Sequence, residues 1–276
     1  MKKIFNLRGG QKLTVGGKTL VMGILNVTPD SFSDGGKYLS VEAAVAHAAQ
    51  LIEYGADIID VGAESTHPHA VPISADEEFS RLEKVLPSIK SLGAPVSVDT
   101  YKPEVAAQAF ELGANIINDV HGLEDSRMID VAKKFNAPVV AMHNEKCSDG
   151  DIIADVKKFF RRTLAACAEH KLDSTQIIFD PGIGFGKTFN DDLTILRRLD
   201  ELKTLDGQEI SLLISVSRKR VIGRATKLKL DERDEATGAI CVHAISKGVD
   251  IIRVHNVKMI SRMRLMTDSL LRGGKF

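Results

Sequence analysis

The 276-residue chain has few cysteines, no long apolar run and no excess of charge of either sign. Its three cysteines, Cys147, Cys167 and Cys241, are scattered and form no Cys-x-x-Cys pair, which argues against a disulfide framework and a zinc ribbon. No apolar run approaches the roughly 20 residues of a membrane span, and the charged opening stretch lacks the apolar core of a signal peptide. The 37 Lys and Arg residues balance 37 Asp and Glu residues, which argues against nucleic acid or an anionic membrane as a partner. We therefore expect a reduced, cytoplasmic protein that binds neither.

The chain does contain apolar, β-branched runs that alternate with stretches of helical periodicity. Their apolar residues are nearly continuous, which is typical of parallel strands covered on both faces. Predicted helices between them include 41–54, 103–112 and 231–247, each of which ends before a glycine. The predicted strands are 19–27, 57–63, 95–100, 116–120, 138–144, 177–182, 211–217 and 251–256.

Eight strands, each followed by a helix, predict an α/β protein with a (β/α)8 TIM barrel. Gly9-Gly10 and Gly16-Gly17 are turn signals that predict an N-terminal β-hairpin, which would cover the barrel floor. No linker or low-complexity stretch divides the chain, so we predict a single domain over 1–276. An open doubly wound sheet is the alternative, but it gathers ligand groups at one crevice, whereas a polar residue ends each strand here. These residues are Asn26, Asp60, Asp99, Asn118, His143, Asp180, Ser217 and His255.

One glycine-rich stretch suggests a nucleotide site but fails its motifs. Residues 181–188 (PGIGFGKT) resemble a phosphate-binding P-loop, yet Pro181 stands where that motif needs its first glycine. Lys187 stands where a dinucleotide-binding Gly-x-Gly-x-x-Gly motif needs its third glycine.

The histidines suggest a barrel metallohydrolase as a further alternative. His67 and His69 flank a proline, and His121, His143 and His255 lie near strand ends. Metal-binding pairs of this kind normally share one strand, whereas His67 and His69 follow the second strand in a proline-containing loop. The metallohydrolase reading predicts tightly bound zinc in the purified protein.

Asp99, Asn118 and Asp180 end strands three, four and six. In a barrel they point into one cavity, where buried carboxylates need donors. A flat ligand with an amino group and ring N–H groups would supply them, although each residue alone would also suit a helix cap. Arg253 and His255, two residues apart on the last strand, share a face and suit phosphate binding.

The loop after the first strand carries the most specific motif. Residues 22–36 (MGILNVTPDSFSDGG) resemble the signature of the dihydropteroate synthases, the folate-pathway enzymes that sulfonamides inhibit. Further blocks resemble the same family, in the family's order and over essentially the whole chain. These are 60–62 (DVG), 64–66 (EST), 97–100 (SVDT), 117–120 (INDV), 180–187 (DPGIGFGK), 217–219 (SRK) and 253–255 (RVH).

The resemblance implies a transferase that joins 6-hydroxymethyl-7,8-dihydropterin diphosphate to p-aminobenzoate and releases pyrophosphate. It implies that the pterin is bound by Asp99, Asn118, Asp180 and Lys219. It implies that the diphosphate is bound by Asn26, Thr66, Arg253 and His255, with Asn26 also holding Mg²⁺. It places p-aminobenzoate against Phe32, Thr66, His67, Pro68, Phe185, Lys219 and Arg220. The catalytic residues would be Asp34, Asp99, Asp180 and Lys219, with Asp34 in a lid formed by the loop after the first strand. Family members are commonly homodimers, and the apolar face of 259–271 suits such a contact.

His67 departs from the family pattern, which has an arginine at this position. A histidine is only partly charged near neutrality and cannot form the bidentate fork of an arginine. We expect catalysis to be retained, with an affinity for p-aminobenzoate and sulfonamides that differs from the usual enzyme. Changing His67→Arg is expected to shift both the KM for p-aminobenzoate and sulfonamide inhibition; unchanged values for both would contradict this expectation.

Two related proteins without this activity remain alternatives. A pterin-binding paralogue would keep the pocket without turnover. The pterin-binding domain of a corrinoid methyltransferase resembles the same barrel, but it needs neither the cations for a diphosphate nor the Thr-Pro-Asp-Ser-Phe loop. Both features are present here, and they favour the synthase.

Overall fold

A computed structural model describes residues 2–28, 39–65, 71–148 and 150–273. It contains a closed barrel of eight parallel strands, preceded by an antiparallel hairpin. The hairpin strands are β1 (Lys3–Asn6) and β2 (Lys12–Val15). The barrel strands along the chain are β3 (Leu20–Asn26), β4 (Ile58–Gly62), β5 (Val96–Asp99), β6 (Ile116–Asp119), β7 (Val139–Met142) and β8 (Ile177–Asp180). Two short strands of two residues each, β9 (Thr204–Leu205) and β10 (Gln208–Glu209), pair with each other. They precede the last two barrel strands, β11 (Ser211–Ser215) and β12 (Ile251–Val254).

Helices follow the barrel strands and cover the outside of the barrel. Several begin at a side-chain cap: Asp151 accepts from the backbone N–H of Ile153 at 3.0 Å, and Thr188 forms a capping box with Asp191. The helices are α1 (Leu39–Glu53), α2 (Ala75–Leu82), α3 (Leu86–Lys90), α4 (Pro103–Glu111), α5 (Arg127–Phe135), α6 (Ile152–Glu169), α7 (Phe189–Arg197), α8 (Arg220–Thr226), α9 (Asp234–Ser246) and α10 (Val257–Arg272).

The predicted (β/α)8 barrel is therefore confirmed, with strands slightly shorter than the apolar runs. The strand order closes because β12 pairs with β3, which leaves no free edge. The predicted helix 231–247 differs in detail: a short 3₁₀ turn at Leu230–Glu232 precedes α9. No helix in the described ranges is both long and apolar enough to cross a membrane.

The barrel interior has an apolar lower layer and a polar upper layer, because alternate residues of a strand face the same side. Ile58, Ile116, Ile178, Leu213 and Ile251 belong to the lower cluster. Two residues further along each strand comes a polar side chain, and these are Asp60, Asn118, Asp180, Ser215 and Arg253. The polar upper layer provides the side chains of the functional site.

The hairpin covers the lower end of the barrel, as its turn signals predict. Phe5, Leu7, Leu13 and Val15 pack in one buried cluster with the lower layer of the barrel. At about 25 cal/mol per Å² of buried apolar surface, each such side chain contributes on the order of 1.5–3 kcal/mol to folding. The barrel is therefore closed at the amino ends of its strands and open at their carboxyl ends.

Candidate active site

A cavity of about 440 Å³ opens at the carboxyl ends of the barrel strands. Its size suits a small organic ligand. All the described residues that the sequence predicts for the site line this one cavity. They are Asn26, Asp99, Asn118, Asp180, Phe185, Lys219, Arg220, Arg253 and His255.

Arg253 lines the cavity and lies between two buried carboxylates. Its Nε donates to Asp60 at 2.6 Å and its terminal nitrogen donates to Asp99 at 2.5 Å. The amide of Asn118 donates to the same oxygen of Asp60 at 3.1 Å. The fixed fork of a guanidinium suits two carboxylates at once. The guanidinium of Arg253 therefore holds the carboxylates of the upper layer together, and its assignment to the diphosphate stays a prediction.

Two carboxylate oxygens of this cluster have no partner among the described residues, namely Oδ1 of Asp60 and Oδ1 of Asp99. Burial raises the pKa of Asp99 to about 7, with Arg253 opposing the rise and Asp60 adding to it. Burial also raises the pKa of Asp180, while Lys219 and the backbone N–H of Gly182, at 2.7 Å, oppose the rise. Buried acceptors without donors are costly. A ligand that offers N–H groups would relieve that cost.

Lys219 follows β11 and lines the same cavity as these carboxylates. Its Nζ donates to the carbonyl oxygen of Ile183 at 2.7 Å and lies 4.6 Å from the centre of the Phe185 ring. Burial lowers the pKa of Lys219 to about 8, with Asp180 opposing the fall. Arg220 donates to the carbonyl oxygen of Gly184 at 3.1 Å. Both cations therefore hold the loop after β8 against the loop after β11.

Lys187 also fixes the loop after β8. Its Nζ donates to the carbonyl oxygens of His143 and Phe185, at 2.9 Å each. A P-loop lysine would instead be free to reach a phosphate. Burial lowers the pKa of Lys187 to about 8. The structure thus agrees with the rejection of the P-loop, and it gives Lys187 the role of fixing the backbone beside Phe185.

Glu64 also lines the cavity, and a buried network of ion pairs fixes its side chain. Lys102 lies 2.5 Å from Glu64 and 2.6 Å from Glu78. Glu64 also accepts from the hydroxyl of Tyr101 at 3.1 Å and from the backbone N–H of Ile73 at 3.0 Å. These bonds join the chain before residue 66 to the chain after residue 70.

His255 and Arg218 line the cavity beside β12. The hydroxyl of Ser217 lies 2.8 Å from Nδ1 of His255. Burial lowers the pKa of His255 to about 4, helped by Arg253, so that the ring is neutral at physiological pH. The sequence interpretation counts His255 among the cations, whereas here it is a neutral polar group. Arg218 has a φ of 59° and is bound by Asp234, with Nε 2.7 Å from the carboxylate.

Asn26 is the residue that the resemblance implies for Mg²⁺, and its surroundings fit that ion. Asn26 ends β3, lines the cavity and is exposed. Mg²⁺ prefers oxygen ligands, keeps several waters and is commonly bound through one or two protein groups together with substrate phosphates. Within the described ranges no cluster of three or more His, Cys, Asp or Glu side chains offers a metal cage. That finding gives no support to a histidine-metal site among those residues.

Five predicted site residues lie outside the described ranges: Phe32, Asp34, Thr66, His67 and Pro68. Two polar residues gain importance that the sequence interpretation did not give them. Asp60 is fully buried against Arg253, and Ser217 contacts His255. The signal for Asp60 was its register, since it follows the interior residue Ile58 by two positions.

The affinity for a pterin is expected to be greatest between pH 7 and pH 8. Asp99 accepts charge-assisted hydrogen bonds from N–H groups when it is ionised, above its pKa of about 7, and Lys219 donates charge-assisted ones when it is protonated, below its pKa of about 8. The raised pKa of Asp99 stabilises the ligand-free fold at low pH, and this is lost as pH rises through 7. The lowered pKa of Lys219 stabilises it at high pH, and this is lost as pH falls through 8. A pterin titration from pH 5.5 to 9.5, with the rise in Tm on binding, checks this; an affinity independent of pH would contradict it.

Comparisons with known proteins agree with this geometry. A family model described as "Pterin binding enzyme" matches residues 22–255. The chain is 48% identical over 260 residues to a dihydropteroate synthase of Bacillus subtilis (strain 168), covering 93% of this chain and 90% of that protein. A dihydropteroate synthase from Clostridium difficile, crystallised in the presence of pteroic acid, superimposes with a TM-score of 0.89 at 42% identity, covering 94% of this chain and 98% of that one. The Xanthomonas albilineans dihydropteroate synthase with 4-aminobenzoic acid gives a TM-score of 0.92 at 36% identity, covering 99% of both chains. The chain therefore belongs to the pterin-binding enzyme family and, within it, to the dihydropteroate synthases.

Proposed function

We propose that this protein joins 6-hydroxymethyl-7,8-dihydropterin diphosphate to p-aminobenzoate, forming dihydropteroate and pyrophosphate. The observation that carries the proposal is the floor of the cavity, where Asp99, Asn118 and Asp180 converge opposite Lys219. Carboxylates and an amide on one side and an ammonium group on the other match a flat ring with an amino and N–H edge and a carbonyl.

In this proposal the pterin lies deepest. Asp99 and Asp180 accept from the 2-amino group and ring N–H groups, Asn118 contributes its amide, and Lys219 donates to the ring carbonyl. The buried oxygen of Asp99 that lacks a partner among the described residues gains a donor. Binding of the ring then replaces an unfavourable desolvation of Asp99 with a charge-assisted hydrogen bond.

The diphosphate extends toward the cavity mouth, where Asn26, Arg253 and His255 bind it, together with Thr66. Asn26 would also hold Mg²⁺, which would supply positive charge to the diphosphate oxygens and so make pyrophosphate a better leaving group. Arg253 supplies a fixed positive charge, and His255 supplies a hydrogen bond. These residues stabilise charge that grows on the leaving group as its bond breaks.

The p-aminobenzoate ring lies nearer the surface, against Phe185, Lys219 and Arg220, with Phe32, Thr66, His67 and Pro68 completing its site. The C–O bond between the pterin methylene carbon and the diphosphate breaks, and its electron pair leaves with pyrophosphate. Asp99 and Asp180 stabilise the positive charge left on the pterin, and the family resemblance assigns Asp34 a catalytic role as well. The arylamine nitrogen then forms a bond to the methylene carbon and loses a proton, which balances the reaction.

The first test is pyrophosphate release from synthetic dihydropterin diphosphate with Mg²⁺, in the presence and absence of p-aminobenzoate. Release coupled to dihydropteroate formation supports the proposal, and addition of a chelator is expected to lower the rate. Tight binding of the pterin diphosphate without product would overturn it in favour of a binding paralogue. Replacing Asp180 with asparagine provides the matched inactive control, because the amide keeps the shape and removes the charge.

We propose further that the enzyme is a cytoplasmic homodimer. The three cysteines are free, which is consistent with a reducing compartment. Helix α10 exposes Leu265, Met266, Leu270 and Leu271, a larger apolar surface than isolated surface residues usually present. Sedimentation of the protein is expected to give twice the monomer mass, and Leu270→Lys together with Met266→Lys is expected to halve it.

A further inference from the structure

Two side chains on neighbouring strand ends share one hydroxyl group. Oγ of Ser217 lies 2.8 Å from Nδ1 of His255, and the backbone N–H of His255 donates to the same Oγ at 3.2 Å. Ser217 is only 7% exposed, and both residues line the cavity. A serine hydroxyl has one proton and two acceptor positions. One acceptor position is taken by the backbone N–H of His255, and the remaining question is where the hydroxyl proton lies.

Among the described residues, only one arrangement of protons gives both groups a partner. If Nδ1 carried the ring proton and donated to Ser217, the hydroxyl proton would need another acceptor, and no other described residue accepts it. If the hydroxyl donates to Nδ1, every polar atom in the contact has a partner. Buried polar groups are satisfied in the great majority of cases. Nδ1 of His255 is therefore an acceptor.

The charge state of the ring follows from its neighbours. Burial lowers the pKa of His255 to about 4, with Arg253, Arg218 and Lys219 also lowering it and Asp234 opposing them. A neutral imidazole has one ring proton. With Nδ1 acting as acceptor, that proton lies on Nε2, for which no described residue provides a partner.

We propose that Ser217 is a positioning residue that holds His255 as the Nε2–H tautomer, so that His255 meets a diphosphate oxygen as a neutral N–H donor. The part concerning the diphosphate rests on the proposed function, whereas the tautomer does not. The opposite tautomer would present the lone pair of Nε2 to an anion, which is repulsive. A serine that follows the neighbouring strand β11 thus determines whether Nε2 of the histidine attracts or repels an anionic ligand.

The tautomer is measurable directly. In protein labelled with ¹⁵N in the histidine rings, the two nitrogens of a neutral ring have well-separated shifts, and His255→Gln identifies the signals of residue 255. The expected result at pH 7.5 is a protonated Nε2 and an unprotonated Nδ1. Ser217→Ala is expected to give a mixture of tautomers, and Ser217→Thr, which keeps the hydroxyl, is expected to retain the original one. A wild-type ring with its proton on Nδ1, or with two protons, would overturn the proposal.

Kinetics test the consequence for substrate. Ser217→Ala is expected to lower kcat/KM for the dihydropterin diphosphate by about 10-fold or more, within the range seen when groups that orient a histidine are removed. The Kd of the corresponding pterin alcohol, which has no diphosphate, is expected to stay the same, and Ser217→Thr is expected to restore kcat/KM. Equal losses for the alcohol and the diphosphate would show a merely structural role. If the wild-type enzyme makes no dihydropteroate but its ring is Nε2–H, the proposed function fails and the tautomer stands; an active enzyme with Nδ1–H gives the reverse.

Discussion

Replacing Arg253 with methionine is expected to lower the free energy of unfolding by about 3–5 kcal/mol and to abolish dihydropteroate formation. Arg253 is the cation that lies within hydrogen-bond distance of both Asp60 and Asp99, at 2.6 and 2.5 Å. Without it, two buried carboxylates lose their cationic partner. Removing one partner of a buried ion pair costs more than the pair contributes, because an uncompensated charge is left behind.

The pH dependence of that loss separates this cause from a packing defect. In the variant, Asp99 escapes part of the penalty by taking up a proton, so its pKa, already raised by burial, rises further. The stability deficit is therefore expected to shrink as pH falls from 8 to 5. A deficit from lost packing alone would not change with pH. Urea unfolding of the wild type and the variant at both pH values measures the difference.

The chain offers a matched control at its surface. Arg161 forms a similar two-pronged contact with Asp206, at 2.9 and 2.7 Å, but both side chains are more than half exposed. Arg161→Met is expected to change stability by about 1 kcal/mol or less and to leave activity intact. Equal effects of Arg161→Met and Arg253→Met would contradict the role assigned to burial.

Replacing Gly182 with alanine is expected to destabilise the protein by about 2–4 kcal/mol and to lower kcat/KM by about 100-fold. Gly182 has a φ of 70°, a conformation that side chains disfavour, and an added Cβ would collide with the carbonyl oxygen of His143. That oxygen is backbone and is held by Lys187, so it cannot move aside cheaply. The loop after β8 would shift instead, and with it Phe185 and the carbonyl of Ile183 that binds Lys219.

Gly184 separates the steric effect from the conformational one. Its φ is 82°, similar to that of Gly182, but an added Cβ would meet only Cδ of Lys219 at 3.5 Å, an ordinary contact. Gly184→Ala is therefore expected to cost about 1–2 kcal/mol, from the backbone conformation alone. Thermal unfolding and initial rates of both variants give the comparison. If Gly184→Ala were as harmful as Gly182→Ala, the collision with His143 would not be the cause.

The sequence predicts the barrel well because its signals are local and repeated. Apolar runs, glycines after helices and a polar residue near each strand end all point to the same architecture, and the structure confirms it. The hairpin is also confirmed, since its paired glycines predict turns and Phe5 and Leu13 pack under the barrel. The start of the predicted helix 231–247 is less accurate, because a 3₁₀ turn of three residues is too short to show a period that differs from that of the α-helix after it.

The functional site can be predicted only in part from the sequence. Which residues line the cavity follows from their positions at strand ends, and nine of the predicted residues do line it. What each side chain does there depends on neighbours from distant strands. Arg253 lies 193 positions from Asp60 along the chain, and 38 positions separate Ser217 from His255. Contacts of that range determine the ion pair and the charge of the histidine, and no spacing rule predicts them.

The hairpin that covers the lower end of the barrel also affects the order in which the two substrates bind. In the described part of the chain, the hairpin closes the cavity at the amino ends of the strands, and the groups proposed for the pterin, Asn118 and Asp180, are buried whereas Arg220 is exposed. A p-aminobenzoate molecule that bound first would block the path of the pterin into the cavity. We therefore expect the pterin diphosphate to bind before the arylamine in productive turnover.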